Sequence, residues 1–359
     1  MPYYCWSLAN QLSNQDDVWV FARNVERLPA KVRAIRFPFG FKSKRLEYGP
    51  NSLINRLVIA AHRSSQRFDV VHTQDGDLIG GDVVTAHAVL KTLFRVFRRT
   101  DPDHVAWLPK SPLLWAEELI YRTHRYRHVI VTSEKLRSVL RNDYGIREED
   151  ITVVRLGVDS ERLRPDPRLR SELRANLAID QEAPVLLHVS TDFRRKGLAA
   201  LIRALQSLPH DYIVIVAGRG DEEEFRRLAE RLEVKNRLIF LGYRRDLERI
   251  YPAADAFVFP TRFDFFGYPV LEAMACGVPP IVPSDTGVAE LIRDGIDGCL
   301  LSNPENDGEL ADRIRLLIED GIANRIGRAA RTLAQKMTMR QMASETRNVY
   351  ERVSRAQRS

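Results

Sequence analysis

The chain has 359 residues and a formal net charge of +7, with 44% hydrophobic and 29% charged residues. This balance is typical of a folded globular protein of about two domains and excludes wholesale disorder, and no apolar run approaches the roughly 18 residues of a membrane-spanning helix. The N-terminus has no signal-peptide pattern and the three cysteines lack metal-ligand spacing, so we expect a cytoplasmic protein without a disulfide scaffold or a cysteine-based zinc site.

The first predicted element is a helix over Tyr4–Leu12, where a doubly wound domain ordinarily begins with a strand and a Gly-rich turn. We therefore expect the N-terminal domain to lack its first strand, through either a truncated gene model or real divergence. Short apolar strands then alternate with helical patterns. In the first half, strands are predicted over Val18–Phe21, Ala34–Phe37, Val70–Thr73, Val83–Ala86, Val129–Thr132 and Thr152–Arg155.

The segment Val89–Arg99 (VLKTLFRVFRR) is an amphipathic helix pattern with one apolar face and several basic residues elsewhere. It fits an interfacial helix on an anionic membrane, and it fits equally a helix packed on its own domain with a solvated basic edge. The surrounding residues 1–160 carry a net charge of +6, against −4 over 161–330 and +5 over 331–359. Because no recognition motif accompanies this charge, no nucleic-acid partner is expected.

The second half resumes the alternation after a charged segment with two prolines. Strands are predicted over Val185–Val189, Tyr212–Ala217, Leu238–Leu241, Ala256–Phe259, Pro280–Val282 and Cys299–Leu301. Near-continuous Val, Ile and Leu runs indicate parallel strands buried on both faces. We predict an α/β fold with two Rossmann-like, doubly wound parallel-sheet domains, residues 1–160 and 184–335. A linker with a short helix spans 161–183, and a C-terminal helix within 336–359 is expected to cross back to the first domain.

The most informative segment is FVFPTRFDFFGYPVLEAMACG, residues Phe257–Gly277. It predicts a buried strand, a loop containing Gly267, and a helix that begins near Pro269. In a parallel sheet that helix N-terminus points beyond the strand ends, where its free N–H groups suit a diphosphate. Asp264 on the loop and Glu272 on the helix are placed to accept hydrogen bonds from sugar hydroxyls. An ordinary strand–helix unit with two solvated acids is the alternative.

This segment is similar to the donor-site signature of the retaining family 4 glycosyltransferases, whose GT-B fold has two such domains facing across a cleft. The family signature is Glu, seven residues, Glu; here the first acid is Asp264, one methylene shorter. The resemblance runs from about Phe68 to the C-terminus and is strongest over Val185–Leu301. It implies that Glu272 holds the ribose and Asp264 positions the transferred sugar. The other implied donor contacts are Gly242, Tyr243, Arg244, Phe266, Gly267, Tyr268 and Val270.

A second match is HVSTDFRRKGLAALIRAL, residues His188–Leu205. Lys196 corresponds to the family lysine that neutralises the donor diphosphate. The position of the family arginine holds Ser190, and Arg195 is expected to substitute for it. Two cations beside a strand end can stabilise charge on a departing nucleotide diphosphate. The alternative is a solvated Arg-Arg-Lys turn.

The segment DVVTAHAVLK places His87 at the end of strand Val83–Ala86, where the family has a histidine near the reacting sugar or phosphate. A structural histidine is the alternative. Asp75-Gly76-Asp77 imitates the Asp-x-Asp metal motif of a different glycosyltransferase fold. Because the resemblance implies that Arg and Lys neutralise the diphosphate, we expect no metal and no other cofactor.

The resemblance implies a retaining hexosyltransferase that uses a nucleotide-diphosphate sugar of the UDP-glucose or GDP-mannose type. The acceptor is expected to be a glycan or a lipid-linked molecule, and peripheral association with the inner face of the membrane stays open. A non-catalytic nucleotide-sugar-binding protein and a nucleotide-sugar epimerase of the same fold are the alternatives.

Overall fold

The structure is a computed structural model that describes residues 3–22, 28–36, 58–59, 61–62, 68–75, 80–106, 111–318 and 322–358. The chain forms two compact units. The first comprises Met1–Gly157 together with Met339–Ser359, and the second comprises Val158–Thr338.

Strands and helices alternate through the described residues of both units. The strands are β1 Trp19–Ala22, β2 Arg33–Arg36, β3 His72–Gln74, β4 Val83–Ala86, β5 His128–Val131, β6 Ile151–Val153, β7 Val185–Ser190, β8 Ile213–Gly218, β9 Leu238–Gly242, β10 Ala256–Val258, β11 Pro280–Pro283 and β12 Cys299–Leu301. The helices are α1 Tyr3–Leu12, α2 Leu90–Thr100, α3 Pro102–Val105, α4 Pro112–Arg122, α5 Glu134–Tyr144, α6 Pro167–Asn176, α7 Leu198–Ala204, α8 Glu222–Arg231, α9 Tyr268–Ala275, α10 Asp307–Ile318, α11 Ile322–Ala334 and α12 Met339–Arg358.

The first unit is built on a four-stranded parallel sheet with the order β3-β4-β5-β6, and β1 and β2 form a separate parallel pair. All residues of β4 and β5 are buried, as expected for parallel strands covered on both faces. The C-terminal helix α12 belongs to this unit and packs against α1 and β5.

The second unit is built on a six-stranded parallel sheet with the order β12-β11-β10-β7-β8-β9. The chain progresses from β7 to β9 on one side and from β10 to β12 on the other. The order therefore reverses between β7 and β10. Ligands of open α/β sheets bind outside the carboxyl ends of the strands at such a switch point. The topology thus brings the loops that follow β7 and β10 side by side.

Residues 161–183, predicted as a linker with a short helix, lie within the second unit and contain α6. The reason is a fully buried arginine, Arg174, whose guanidinium donates to the Ala253 carbonyl at 3.0 Å and to Asp255 Oδ2 at 2.7 Å. Arg170 donates to the other oxygen of Asp255 at 2.7 Å. Because a buried charge is tolerated only when it is paired and hydrogen-bonded, these contacts attach α6 to the sheet of this unit.

The predicted α/β class with two parallel-sheet units is confirmed. Each of the twelve predicted strands corresponds to an observed strand whose ends differ by at most two residues, and the opening helix is observed as α1. Most of these strands were predictable because they are short apolar runs bounded by turn residues, and this pattern depends on neighbouring residues alone.

Candidate active site

The loop after β7 is pressed against the loop after β10. Gly197 ends the first loop with a φ of 79°, and a Cβ added there would lie 1.9 Å from the main-chain oxygen of Pro260. The main-chain oxygen of Arg195 accepts a hydrogen bond from the Arg262 N–H at 3.0 Å. Only glycine satisfies both the left-handed backbone and the close approach, so this position sets the distance between the two loops.

Lys196 and Asp264 form an ion pair across these loops. The Lys196 ammonium donates to Asp264 Oδ2, and both side chains are mostly buried. The ammonium also lies 5.0 Å from the centroid of the Phe259 ring, which adds a cation–π contact. Burial lowers the pKa of Lys196 more than the attraction of Asp264 raises it. Burial raises the pKa of Asp264, but the nearby charges of Lys196 and Arg195 outweigh it and hold that pKa below its ordinary value.

Arg195, predicted as the second cation, lies beside this pair but its guanidinium is already bonded. Its Nε donates to Asp192 Oδ2 at 2.9 Å and its Nη1 donates to the Phe263 carbonyl at 3.1 Å. These bonds connect the loop after β7 to the loop that carries Asp264. The geometry therefore gives Arg195 a role in holding the two loops together, alongside its electrostatic effect on Asp264.

The helix α9 begins where the sequence predicted a diphosphate site. Gly267 precedes it with a φ of 98°, and a Cβ there would lie 3.3 Å from the Val288 side chain. Val270 is buried in the first turn. The Phe266 carbonyl accepts a hydrogen bond from the Val288 N–H at 2.8 Å. The loop before α9 is thus packed against, and hydrogen-bonded to, the segment that follows β11.

Glu272 lies one turn into α9 and is 8% exposed. Its Oε2 accepts a hydrogen bond from the Tyr251 hydroxyl at 2.8 Å, and its other oxygen has no hydrogen-bond partner among the described residues. Burial raises the pKa of Glu272 to about 7, although the Tyr251 hydroxyl lowers it in part. Sequence reasoning missed Tyr251, because no local motif connects a tyrosine in a short turn to a carboxylate on a later helix.

The carboxyl end of β9 carries Gly242, Tyr243 and Arg244, which the resemblance implied as donor contacts. Gly242 ends β9 with a φ of 63°. The guanidinium of Arg219 lies 3.9 Å from the centroid of the Tyr243 ring, which is 48% exposed. Arg244 donates two hydrogen bonds to Asp246, at 2.8 and 2.6 Å. Its guanidinium is therefore already paired with a carboxylate of the same loop.

His87 follows β4 in the first unit, as predicted. Its main-chain N–H donates to Asp75 Oδ1 at 2.6 Å, and its Nε2 lies 2.8 Å from Gln74 Oε1. The edge of the Tyr4 ring faces it with ring centroids 4.6 Å apart. Burial lowers the pKa of His87 more than Asp75 raises it.

Asp75, the first acid of the Asp-x-Asp segment, holds main-chain N–H groups of the loop after β4. Its Oδ1 accepts from His87 and from Ala88, at 2.6 and 3.3 Å. Gly76 and Asp77 lie outside the described residues. Within the described ranges, no group of three or more His, Cys, Asp and Glu side chains is arranged to hold a metal ion.

The amphipathic segment Val89–Arg99 corresponds to α2, and several of its residues contact the first unit itself. Phe97 is 1% exposed. Lys91 pairs with Glu118 of α4 at 3.2 Å, and Arg95 pairs with Asp143 of α5. These contacts favour a helix packed on its own domain at those positions. No helix in the described part of the chain combines the length and apolar character needed to cross a bilayer.

The second unit therefore brings most of the predicted residues to the carboxyl ends of one sheet. The residues that follow β7, β9 and β10 or begin α9 are Arg195, Lys196, Gly242, Tyr243, Arg244, Asp264, Phe266, Gly267, Tyr268, Val270 and Glu272. His87 is the predicted residue that belongs to the first unit.

Comparison with known families covers both units. Residues 1–162 match the model of Glycosyltransferase Family 4, and residues 170–333 match the model of Glycosyl transferases group 1. Each unit thus matches one glycosyltransferase domain model, and the chain has the two parallel-sheet units of the GT-B fold. The group 1 domain contains the Lys196–Asp264 pair and Glu272, whereas the family 4-like domain contains His87.

Three comparisons with two similar proteins illustrate this relationship. The chain is 27% identical to the lipopolysaccharide glucosyltransferase WaaG of Escherichia coli over 219 residues, which are 55% of this chain and 59% of that relative, less than two thirds of its length. A crystal structure of WaaG superposes with a TM-score of 0.78 at 21% identity, covering 97% and 95% of the two chains. Anabaena HepE in complex with UDP-glucose superposes with a TM-score of 0.74 at 22% identity, covering 97% of each chain. These two likenesses show the GT-B fold.

Proposed function

We propose that this protein is a retaining hexosyltransferase that moves a sugar from a nucleotide-diphosphate sugar to a glycan or a lipid-linked acceptor. One observation carries the proposal: the mostly buried Lys196–Asp264 pair lies between the loops after β7 and β10, at the switch point of the second sheet. The match of this unit to group 1 glycosyltransferases supports the same reaction class.

In this proposal, the second unit binds the donor. The diphosphate lies at the start of α9, where the positive end of the helix dipole attracts negative charge. Lys196 stabilises the charge that develops on the leaving diphosphate, and its partial desolvation strengthens that interaction. Glu272 offers its unpartnered oxygen to a ribose hydroxyl. Asp264 orients both Lys196 and the transferred sugar.

The first unit binds the acceptor, and His87 contributes a hydrogen bond to a substrate. We assign no side chain the role of a covalent nucleophile. The configuration at the anomeric carbon is retained because the leaving phosphate assists the acceptor hydroxyl on the same face of the sugar. UDP-glucose is the first donor to test, since the structurally similar HepE was crystallised with it.

The test is a donor screen with the full chain. UDP-, GDP- and ADP-sugars are compared by thermal shift, since a ligand at 100 times its Kd stabilises a protein by about 2.7 kcal/mol. Donor hydrolysis and transfer are then measured with and without glycan and lipid-linked acceptors, and NMR of the product reads its anomeric configuration. The absence of binding by every nucleotide sugar would refute the proposal.

The same screen separates the two alternative functions. Donor binding without transfer or hydrolysis would identify a nucleotide-sugar-binding protein. A donor that changes its sugar stereochemistry without any acceptor would identify an epimerase. An inverted glycosidic product would refute retention alone.

We also propose that transfer needs no metal ion, because Lys196 supplies positive charge where the diphosphate departs. Excess EDTA is expected to leave the transfer rate unchanged. A loss of rate that Mg²⁺ or Mn²⁺ restores would contradict this.

Contact with an anionic membrane is a further part of the proposal, and it rests on the side chains that α2 and α4 leave exposed. Trp115 on α4 is 59% exposed, and Arg98 on α2 is exposed as well. Co-sedimentation with phosphatidylserine vesicles at low salt is expected to exceed that with phosphatidylcholine vesicles, and Trp115→Ala is expected to reduce it. Equal association with both vesicle types would refute it.

A further inference from the structure

A chain of hydrogen bonds connects the C-terminal helix α12 to His87 inside the first unit. The Tyr350 oxygen lies 2.6 Å from His72 Nδ1. The Gln74 amide nitrogen lies 3.3 Å from His72 Nε2, and the Gln74 amide oxygen lies 2.8 Å from His87 Nε2. His72 Nε2 also lies 2.7 Å from the hydroxyl of Thr85 on β4, which can donate to it as well. Side chains from β3, β4, α12 and the loop after β4 therefore form one continuous relay.

With the Gln74 amide oriented as it is in the structure, its nitrogen facing His72 and its oxygen facing His87, this side chain sets the direction of the protons in the relay. The Gln74 nitrogen can only donate and its oxygen can only accept. His72 Nε2 is therefore the acceptor, from the Gln74 amide and from the Thr85 hydroxyl, which puts the His72 proton on Nδ1, where it is donated to Tyr350. At the other end His87 Nε2 must carry the proton. The second nitrogen of His87, Nδ1, is then an acceptor.

Both rings are neutral, so each holds a single proton whose position the relay decides. Burial, and to a smaller extent the nearby His87, lowers the pKa of His72 to about 3. Burial likewise lowers the pKa of His87. Asp75 holds the main-chain N–H of His87 at 2.6 Å, which fixes the backbone that carries the ring. Among the described residues, Nδ1 of His87 has no hydrogen-bond partner.

We infer that Gln74, His72 and Tyr350 are positioning residues that hold His87 as the Nε2–H tautomer, with Nδ1 available to accept a hydrogen bond from a substrate hydroxyl. The inference rests on the proposed function, because it assigns His87 to a sugar substrate. It also refines that function: an unprotonated Nδ1 accepts from a hydroxyl group and cannot donate to a phosphate oxygen. The C-terminal helix thereby gains a role in the site as well as in packing.

The tautomer is measured directly by long-range ¹H–¹⁵N NMR of the full ¹⁵N-labelled chain. The His87 and His72 signals are assigned by their loss in His87→Asn and His72→Asn. The wild-type spectrum is expected to show His87 protonated on Nε2 and His72 protonated on Nδ1. A His87 ring protonated on Nδ1 would overturn the inference.

Tyr350→Phe removes the acceptor of the His72 proton and tests whether the relay acts over its full length. The Gln74 amide is then free to turn over, and His87 is expected to populate the Nδ1–H tautomer. Thr346→Val is the matched control, since Thr346 lies one turn earlier on α12 and its hydroxyl donates to Met342 of the same helix. The control is expected to keep the wild-type tautomers. An unchanged His87 tautomer in Tyr350→Phe would overturn the role of Tyr350.

Kinetics test the link to the substrate. Loss of one neutral hydrogen bond is expected to lower kcat by about 2- to 10-fold in Tyr350→Phe, with thermal stability like that of the control. A shifted tautomer with an unchanged kcat would overturn the assignment of Nδ1 to a substrate hydroxyl. If no nucleotide sugar binds or reacts with the wild type, the proposed function fails. The NMR spectra still show in that case whether the relay holds His87 as the Nε2–H tautomer.

Discussion

At the scale of single residues, the candidate site of the second unit is built on a buried ion pair of opposite charges. Lys196 and Asp264 are mostly buried and satisfy each other, so each holds the other in its charged form. Removing one partner of such a pair leaves an uncompensated charge, which costs more than the pair contributes. A bound diphosphate would meet an ammonium that is already oriented and partly desolvated.

Lys196→Ala is expected to lower kcat by a factor of about 100 or more, because the developing charge on the leaving group loses its cation. The measurement is steady-state transfer with the best donor of the screen. Arg194→Ala is the control: this neighbouring cation is exposed and pairs with Glu224. An equal effect of both substitutions would remove Lys196 from the mechanism.

Asp264→Asn is expected to shift the alkaline limb of the pH–rate profile to lower pH. Burial already lowers the pKa of Lys196, and the Asp264 charge is what raises it most among the interactions that oppose burial. Without that charge the ammonium loses its proton at a lower pH, and the cation needed by the diphosphate disappears earlier. The profile of kcat/KM against pH, compared between the wild type and Asp264→Asn, measures this shift of the alkaline limb. A limb that does not move would have to be assigned to another group.

Tyr251→Phe is expected to move the pH dependence of donor binding upwards. Burial raises the pKa of Glu272 to about 7, and the Tyr251 hydroxyl opposes that rise. In the wild type, donor affinity is expected to fall as pH drops through about 7, since protonation removes an acceptor for the ribose. Loss of the hydroxyl raises this pKa further.

Donor titrations across pH measure the Tyr251 effect. Tyr121→Phe serves as the control, because Tyr121 is a buried tyrosine of the first unit whose hydroxyl has no hydrogen-bond partner among the residues that the structure describes. A midpoint that stays in place in Tyr251→Phe would exclude Glu272 as the titrating group.

At the scale of elements, two loops from adjacent parallel strands are locked to each other before any substrate binds. Gly197 contacts Pro260, and the main chain and side chain of Arg195 bond to the residues that follow Pro260. The site is therefore built from main-chain contacts as well as from charged groups. Such contacts fix the distances between the side chains that we propose to bind the donor, and catalysis requires those distances to be narrow.

Gly197→Ala is expected to destabilise the second unit and to weaken donor binding. A Cβ at 1.9 Å from the Pro260 oxygen forces the main chain to move. Gly145→Ala, directly after α5, is the comparison, because the φ of Gly145 is also positive, at 68°, but no described atom lies within 4 Å of the added carbon. The control is expected to cost about 1 kcal/mol from backbone strain alone. Urea unfolding measures both, and an equal cost would show that the close approach is unimportant.

At the scale of the whole molecule, the two units differ in how the chain builds them. The second is continuous over Val158–Thr338, whereas the first is completed by the C-terminal segment. Helix α12 buries Met342, Val349 and Val353 in the first unit. The first unit therefore acquires its last helix only after the second has been synthesised.

Deletion of residues 339–359 is expected to destabilise the first unit by about 5 kcal/mol, since each of the three buried apolar side chains is worth roughly 1.5–3 kcal/mol. Differential scanning calorimetry with and without donor measures this. The donor is expected to go on stabilising the second unit in the truncated chain. Loss of that stabilisation would show that the second unit alone does not hold the donor.

Sequence patterns correctly predicted the position of a candidate residue relative to the nearest helix or strand where the pattern was local. Lys196 precedes a glycine and a helix, and Asp264 and Glu272 flank the start of another helix, as predicted. Their partners were not predictable, because Lys196 and Asp264 are 68 residues apart and Tyr251 and Glu272 are 21 apart. Arg195 shows the same difference: its position was predicted, but its bond to the Phe263 carbonyl was not.

The sequence by itself determined the order and type of the elements and the parallel α/β class, and it named the candidate residues for phosphate and sugar chemistry. These follow from hydrophobic periodicity, turn residues and short motifs, which are properties of neighbouring residues. Only the tertiary structure decided which charges pair, which carboxylate titrates near neutral pH and that α2 buries Phe97. These outcomes depend on strand order and burial, because both bring together groups that are far apart in the chain.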